Sequence, residues 1–480
     1  MRSHVSSNEQ ADVKFAQRKY TSRIYFDKTS HISNSISTNY LILRITFRLI
    51  CYLCIKISDM ERAIIEQNPH WKSKTYQNLY ERSFFDKLKN NLQVRHIQVL
   101  TGIRRSGKSS AFRMLVNELM KNESSKSILM LNMDDPLYYE TWENPSLFYN
   151  IIELAEKLTG EKIKYLFIDE AQSVIGWETF VKSAYDSELF HKIFVTGSNS
   201  SFLNNEHSTL LSGRYLEEKI YPYSFQEILS QNKIQSYFDA VNETPTVLRL
   251  LDNCLEWGCF PEITSLKNNE IKSNLLKSYF DSIIMKDCIS RYQIGDVATF
   301  KKLLIYCISN AGSICSYKSL GTATGTNENT AKKYINILND SHIVQDVSNF
   351  AFTLKENVRN SHKVYVADNG ITNAVSYRFW DNKAKLFENF VFNELQKQTN
   401  EEITFANNNG ECDFVVKNEF EYQAIQVCYE LTLENQTREI SGFGTVEKDI
   451  NLTKKTIITY NQTQKIGDIE VMPIWKWIFN

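Results

Sequence analysis

Apolar positions along this chain fall into short continuous runs and into helical repeats. His96–Leu100, Lys126–Met133, Tyr165–Ile168 and Lys192–Gly197 are brief apolar runs, the pattern of strands buried on both faces. Between them, Ser110–Met120 carries Phe112, Leu115, Val116 and Leu119 at i, i+3, i+4 and i+7, which predicts a helix, and Leu147–Leu158 reads as another. Residues 60–92 read as polar and helical, and Asp134–Pro136 as a turn. An extended segment runs from Arg214 through Tyr223. Residues 229–293 are helical, with apolar spacing of three and four in Thr246–Leu255 and Asn274–Ile289. Three short helices follow: Phe300–Ser309, one beginning at Ser316, and one capped from Thr326 to Asn329 that runs to Leu338 with Ile335 and Leu338 inward. Ile343–Val347 and Phe350–Leu354 suggest a hairpin. Lys363–Ala367, Glu411–Val416 and Tyr422–Tyr429 read as strands, Asp368–Gly370 as a turn and Leu386–Leu395 as a helix.

Residues 1–59 do not share this patterning. Met1–Asn39 is polar, and Tyr40–Ile57 is strongly apolar but interrupted by Arg44, Arg48 and Lys56. A spanning helix needs about 20 mostly apolar residues, and a central arginine costs roughly 3 kcal/mol. The run begins too late for a signal peptide and lacks a small-residue cleavage site. Met60 opens an ordinary chain start. The expectation is that residues 1–59 are translated upstream sequence. A membrane-surface anchor is the alternative.

At 480 residues the chain calls for about three domains. Its net charge of −1 gives no overall nucleic-acid footprint, so any such surface must be a local basic patch. The nine cysteines are scattered, several inside apolar runs (Cys307, Cys428), which reads as reduced thiols in a cytoplasmic protein. Cys51 and Cys54 have no partner pair and are not read as a metal or redox motif.

The chemistry begins at Gly102-Ile103-Arg104-Arg105-Ser106-Gly107-Lys108-Ser109, which fits G-x-x-x-x-G-K-[ST] between a strand and a helix. Glycines allow the tight turn, and inward N–H groups with the helix N-terminus hold phosphate oxygens. Gly102, Arg104, Arg105, Ser106, Gly107, Lys108, Ser109 and Ser110 are thus candidate nucleotide-binding residues. Lys108 would reach the β- and γ-phosphates and the Ser109 hydroxyl would coordinate Mg²⁺. Arg104 and Arg105 are expected to contact a lid or another domain rather than do chemistry. Tyr165-Leu166-Phe167-Ile168-Asp169-Glu170 is a buried strand ending in two acids. Asp169 would hold Mg²⁺ and Glu170 would orient and deprotonate water. At the end of the next strand, either Ser198 or Thr196 could report on the γ-phosphate. Arg214 could face the triphosphate of its own or a neighbouring subunit, or be a surface residue.

The segments GIRRSGKSS, FIDEAQ, FVTGSNS, LSGRY and YPYSFQEIL together resemble the prokaryotic AAA-type ATPases of the AAA+ superfamily that carry a C-terminal nuclease-like domain of unknown function. GCFPEI (258–263), KVYVADNG (363–370), LFENFVFNEL (386–395) and ECDFVV (411–416) extend the resemblance across nearly everything from Met60 onward. It implies an α/β fold: a five-stranded parallel P-loop core (60–228), a helical lid (229–297) and a C-terminal restriction-endonuclease-like α/β domain (361–480), with ATP as the nucleotide; between them, the three short helices and the hairpin resemble a winged-helix-like domain (298–360). On the third helix, Asn327, Asn329, Thr330, Lys332 and Lys333 would be exposed, giving residues 298–355 a weakly basic face for double-stranded DNA, or else a face for a protein partner. In the last domain the layout offers Glu388, Asp413 and Gln426 as a second, metal-binding site. Cys428 stands where a lysine is expected and cannot supply positive charge, so nuclease chemistry is in doubt.

The reading is therefore a Mg²⁺-dependent ATPase acting as a conformational switch, with no membrane partner and an oligomeric state left open. The alternatives are an ATP-gated DNA-binding protein or nuclease, and an adaptor that binds nucleotide without hydrolysis. The intact mass of natively expressed protein checks the N-terminal expectation: a chain starting at Met60 is expected, and a mass that includes Met1 contradicts it.

Overall fold

The structure is a computed structural model that describes residues 59–199, 208–350, 361–376, 383–399, 401–407, 410–418, 421–448 and 450–479. Tyr40–Ile57, Cys51, Cys54 and residues 351–354 of the expected hairpin lie outside the described residues. Glu61–Asn480 forms one compact unit.

The four buried apolar runs and the extended segment after Arg214 become a five-stranded parallel sheet. Its strands are β1 (Ile97–Thr101), β2 (Ile128–Asn132), β3 (Tyr165–Asp169), β4 (Lys192–Thr196) and β5 (Tyr215–Lys219), in the order β2-β3-β4-β1-β5. Helices α1 (Lys108–Leu119), α2 (Leu147–Thr159) and α3 (Trp177–Asp186) connect them. Phe112 of α1 packs edge-on against Phe167 of β3 at 5.0 Å, and Phe167 stacks on Phe194 of β4 at 4.1 Å. This aromatic trio pins the helix after the glycine loop to the two central strands.

The expected continuous helix over 60–92 is broken. Side chains from 67–71 satisfy the outer edge of β2 instead: Asn68 exchanges two hydrogen bonds with the Met130 backbone, and Trp71 Nε1 donates to Ile128 O. Tyr76 is held by Asn117 through its backbone N–H and C=O, so the expected helix survives as two pieces, residues 59–67 and Phe85–Asn90.

Past the sheet come α4 (Phe225–Gln231), α5 (Thr244–Trp257) and α6 (Asn269–Ser282), the last running on into a π-helical segment, Ile283–Ser290. Then α7 (Val297–Ser309), β6 (Ile314–Cys315), α8 (Tyr317–Thr324), α9 (Glu328–Asp340), β7 (Val344–Ser348) and β8 (His362–Val366) form three helices against a three-stranded antiparallel sheet, ordered β6-β8-β7. The cap of α9 is Asn327, whose side chain accepts from the Thr330 N–H; Thr326 instead donates its own N–H to Gly321 O and closes α8. Gly321 is required there, because a Cβ would meet Thr326 O at 2.9 Å.

Helix α10 (Asn369–Val375) begins at Asp368, which caps it and also accepts from the Cys259 N–H at 2.6 Å. The expected turn at 368–370 is thus a helix start that docks the Gly258–Pro261 corner. Helix α11 (Lys383–Gln398) leads into a six-stranded mixed sheet. Its strands are β9 (Ile403–Asn407), β10 (Glu411–Asn418), β11 (Glu421–Cys428), β12 (Leu452–Thr459), β13 (Gln464–Ile466) and β14 (Ile469–Pro473), in the order β13-β14-β12-β11-β10-β9, with α12 (Leu433–Glu447) packed on it.

Arg82 ties several of these parts together. Its Nε meets Glu227 Oε1 at 2.9 Å, Nη1 donates to Ser106 O at 3.2 Å and Nη2 to Tyr221 O at 2.9 Å, with both charged side chains buried. Removing one partner of a buried pair strands the other charge, so Arg82→Leu is expected to cost about 3–5 kcal/mol in chemical denaturation. A loss below about 1 kcal/mol would contradict this role.

Candidate functional site at the end of the parallel sheet

The glycine loop lies between β1 and α1. Gly102 has φ +135°, and a Cβ there would lie 2.1 Å from Ile220 O, so no other residue lets β1 turn so close to the exit of β5. Gly107 at φ +111° starts α1. Lys108 is buried and donates to Gly102 O at 2.8 Å and Ile103 O at 3.2 Å. Burial pulls its pKa down, and Glu170, Asp169 and Asp287 oppose that pull. Ser106 Oγ is buried without a hydrogen-bond partner. Ser109 and Ser110 are half-buried on the first turn of α1. The inward lysine, the unpartnered hydroxyl and the positive-φ glycines suit a nucleotide's phosphates.

Asp169 and Glu170 end β3. The Thr196 hydroxyl donates to Asp169 Oδ1 at 2.5 Å and accepts from the Glu170 N–H at 2.9 Å. Glu170 takes a left-handed φ of +54°. For a residue with a Cβ that conformation costs on the order of 1 kcal/mol, and such strain concentrates at functional sites. Burial raises the Glu170 pKa; Lys108 and Arg104 pull the other way. Gln172 Nε2 bonds the Glu170 carboxylate and also reaches Ser198 Oγ at 3.2 Å. Thr196 and Ser198 are thus both in the cluster, Thr196 on Asp169 and Ser198 toward Glu170 through Gln172.

Both loop arginines turn to the helices that follow the parallel sheet. Arg104 makes a bidentate pair with Asp287 of the π-helical segment (Nε–Oδ2 3.0 Å, Nη2–Oδ1 3.1 Å) and lies 3.7 Å from Asp134 and 3.8 Å from Glu170. Burial opposes its charge, but the Asp287 bonds with the fields of Glu170 and Asp134 outweigh burial and raise its pKa. Arg105 is exposed, 3.8 Å from Glu262 and over the Tyr279 ring. Arg214 is not part of this cluster. Its carbonyl accepts from Ile97 N at the start of β1, the opposite end of the sheet from the loop, and its side chain pairs with Asp186 at 2.9 Å.

Sequence reasoning missed Asp134, Gln172 and Asp287. Asp287 did leave a trace, an acid inside the apolar helical run Ile283–Ile289.

A second charged cluster joins α11, β8 and β10. Lys363, fully buried, meets Glu411 at 2.7 Å, Glu388 at 3.0 Å and Asp413 at 3.2 Å, and Tyr365 Oη donates to Glu388 at 2.7 Å. Lys363 belongs to β8, which pairs with β7 and not with the C-terminal sheet, so spacing along β11 could not reveal it. Gln426 does not face this cluster. Its Oε1 accepts from the Asp413 N–H, and its Nε2 donates to Glu411 O and Glu439 O, so the amide braces β10 against α12 instead of offering a ligand. Cys428 is turned to Glu430 O and Asn435.

The strand order, the loop after β1 and the acids after β3 are those of a P-loop AAA-type ATPase. Residues 94–229 match the family described as an AAA domain, and residues 248–382 match a domain of unknown function, DUF8612. The chain is 32% identical over 404 residues to the uncharacterized protein MJ1544 of Methanocaldococcus jannaschii, covering 79% of this chain and 88% of that one. It is 29% identical to an uncharacterized protein of Haemophilus influenzae, covering 80% and 94%. Among solved structures it resembles the Walker-type ATPase PABY2304 of Pyrococcus abyssi (TM-score 0.35, 15% identity, 63% and 97% covered). It also resembles the Aeropyrum pernix ORC1 protein in complex with DNA (0.32, 13%, 62% and 93%). The chain belongs to the family of the M. jannaschii protein, and its own residues 94–229 form an AAA domain. Among the described residues, no helix is long and apolar enough to cross a membrane.

The second cluster makes a pH prediction. Burial raises Glu388 to about 7, with Lys363 opposing and Asp413 reinforcing the shift. A carboxyl raised on folding adds stability that is complete below its unfolded pKa of about 4.5 and lost as pH climbs through the folded value. Facing Lys363, Glu411, Asp413 and Tyr365, Glu388 is thus expected to lower thermal stability as pH rises from about 4.5 to about 7. Glu388→Gln is expected to flatten that slope. An unchanged slope in melting temperature against pH contradicts the assignment.

Proposed function

We propose that the protein is a Mg²⁺-dependent ATPase that acts as a nucleotide-driven conformational switch. The observation that carries this reading is the single buried network in which Lys108, Glu170, Arg104 and a lid carboxylate meet. Lys108 and the loop N–H groups bind the phosphates. Asp169 and Ser109 would hold Mg²⁺, which neutralises phosphate charge when bound. Asp169 is oriented for this by Thr196. Glu170 accepts a proton from the attacking water; its burial raises its proton affinity toward that task, and Gln172 fixes its carboxylate. Ser198 links this acid to the lid. Arg214, at the far end of its own sheet, would meet only a neighbouring subunit's triphosphate.

The domain plan supporting the switch is a core over 60–228, a lid over 229–297, a winged-helix-like domain over 298–360 and a restriction-endonuclease-like domain over 361–480, with β8 lent to the winged-helix-like sheet. The exposed Asn327, Asn329, Lys332 and Lys333 on α9 favour double-stranded DNA as the partner; a protein partner is the other outcome. Cytoplasmic residence accords with the unbonded cysteines among the described residues. A second reading, DNA cleavage at Glu388 and Asp413, gains from Lys363, which supplies the positive charge that Cys428 lacks.

Glu170→Gln is expected to keep ATP binding and to slow hydrolysis by about 10²–10⁴-fold; unchanged turnover rejects Glu170 as the base. Duplex DNA binding by the full chain is expected to weaken in the Lys332→Glu/Lys333→Glu variant. Indifference assigns the α9 face to protein. Mg²⁺-dependent DNA cleavage lost in Lys363→Ala would establish the second reading.

A further inference from the structure

We propose that Asp287 is a latch: a lid carboxylate that holds the nucleotide loop and competes with the nucleotide's phosphates for Arg104 and Ser198. The inference rests on the ATP-binding reading above. Asp287 is 2% exposed and both of its oxygens are engaged, one by Arg104 Nε at 3.0 Å, the other by Arg104 Nη2 at 3.1 Å and Ser198 Oγ at 2.7 Å. A guanidinium fork binds carboxylate and phosphate with the same paired geometry, so either can replace the other on Arg104.

Charge balance requires a replacement. The cations Lys108, Arg104 and Arg291, with Lys286 on Asp134, face Asp134, Asp169, Glu170 and Asp287, so the acids are matched before a nucleotide brings its own negative charge. A polyphosphate entering beside four carboxylates is repelled unless one withdraws. Asp169 and Glu170 are fixed at the end of β3, and Asp134 sits on the turn after β2, bonded to Ser173. Asp287 alone comes from outside the parallel sheet and its connections, on a π-helical stretch whose wider turn is a common device at functional sites. The neighbouring Lys286 reaches Asp134 at 2.9 Å, so the same turn is tied to the sheet end at a second point.

Release has a path outward. Five residues on, Tyr292 Oη bonds Asp340, the last residue of α9, at 2.9 Å and Asn199 at 3.3 Å. Withdrawal of Asp287 therefore pulls on the helix that carries Lys332 and Lys333.

The test is ATP affinity of the full chain by calorimetry. Asp287→Asn keeps the shape but removes the competing charge, and it is expected to bind ATP roughly tenfold more tightly than the unmodified chain. Equal or weaker binding overturns the latch while leaving the ATPase reading intact. If the unmodified chain binds no ATP, the ATPase reading falls and the latch with it. Hydrogen exchange on the unmodified chain needs no substitution: ATP is expected to speed exchange of the 283–290 amides severalfold, and unchanged or slower exchange there also overturns the proposal.

Discussion

Charge buried in a protein interior must be paired, and that constraint organises this molecule. Lys108 is 4% exposed, and an isolated ammonium so placed would cost several kcal/mol. It is kept by the loop's own carbonyls and by acids from β3 and the π-helical segment. Because its partners come from separate elements, the loop, the sheet end and the π-helical segment cannot move independently. Gly102 sets the stage, since only a glycine lets β1 turn within contact of the β5 exit.

The same rule links the loop to the rest of the chain. Arg82 grips the Ser106 carbonyl and, through Glu227, the start of α4. That start is also held by α11, where Glu394 accepts from the Phe225 N–H and Lys397 donates to Tyr223 O. Two turns earlier on α11, Glu388 meets Lys363. A buried pair beneath the loop and a buried cluster on β8 are thus carried by elements that touch. Stiffness between them is what a switch needs if a change at the phosphates is to be felt elsewhere.

What the sequence made legible was local. The loop motif, the buried strands and the acids closing β3 are adjacent residues whose spacing states their geometry, and each stands where its pattern places it. The capping residue of α9 slipped by one position because Thr326 was needed to close α8. The helix expected over 60–92 gave way because an edge strand needed hydrogen bonds, a demand invisible in a local window. The partners missed, Asp287 and Lys363, are distant in sequence from the groups they meet. A strand lysine such as Lys363 reads as a solvated face until α11 and a second sheet bring three carboxylates around it. Arg214 shows the converse: its neighbourhood in sequence suggested a triphosphate, but the parallel register sends it to the other end of the sheet.

The most direct measurement is phosphate release from Mg²⁺-ATP by the full chain beside its Lys108→Ala variant. The account predicts steady turnover that disappears in the variant, because the buried ammonium is the charge on which phosphate binding depends. Turnover that persists in Lys108→Ala, or ATP that binds and is never hydrolysed, would contradict it.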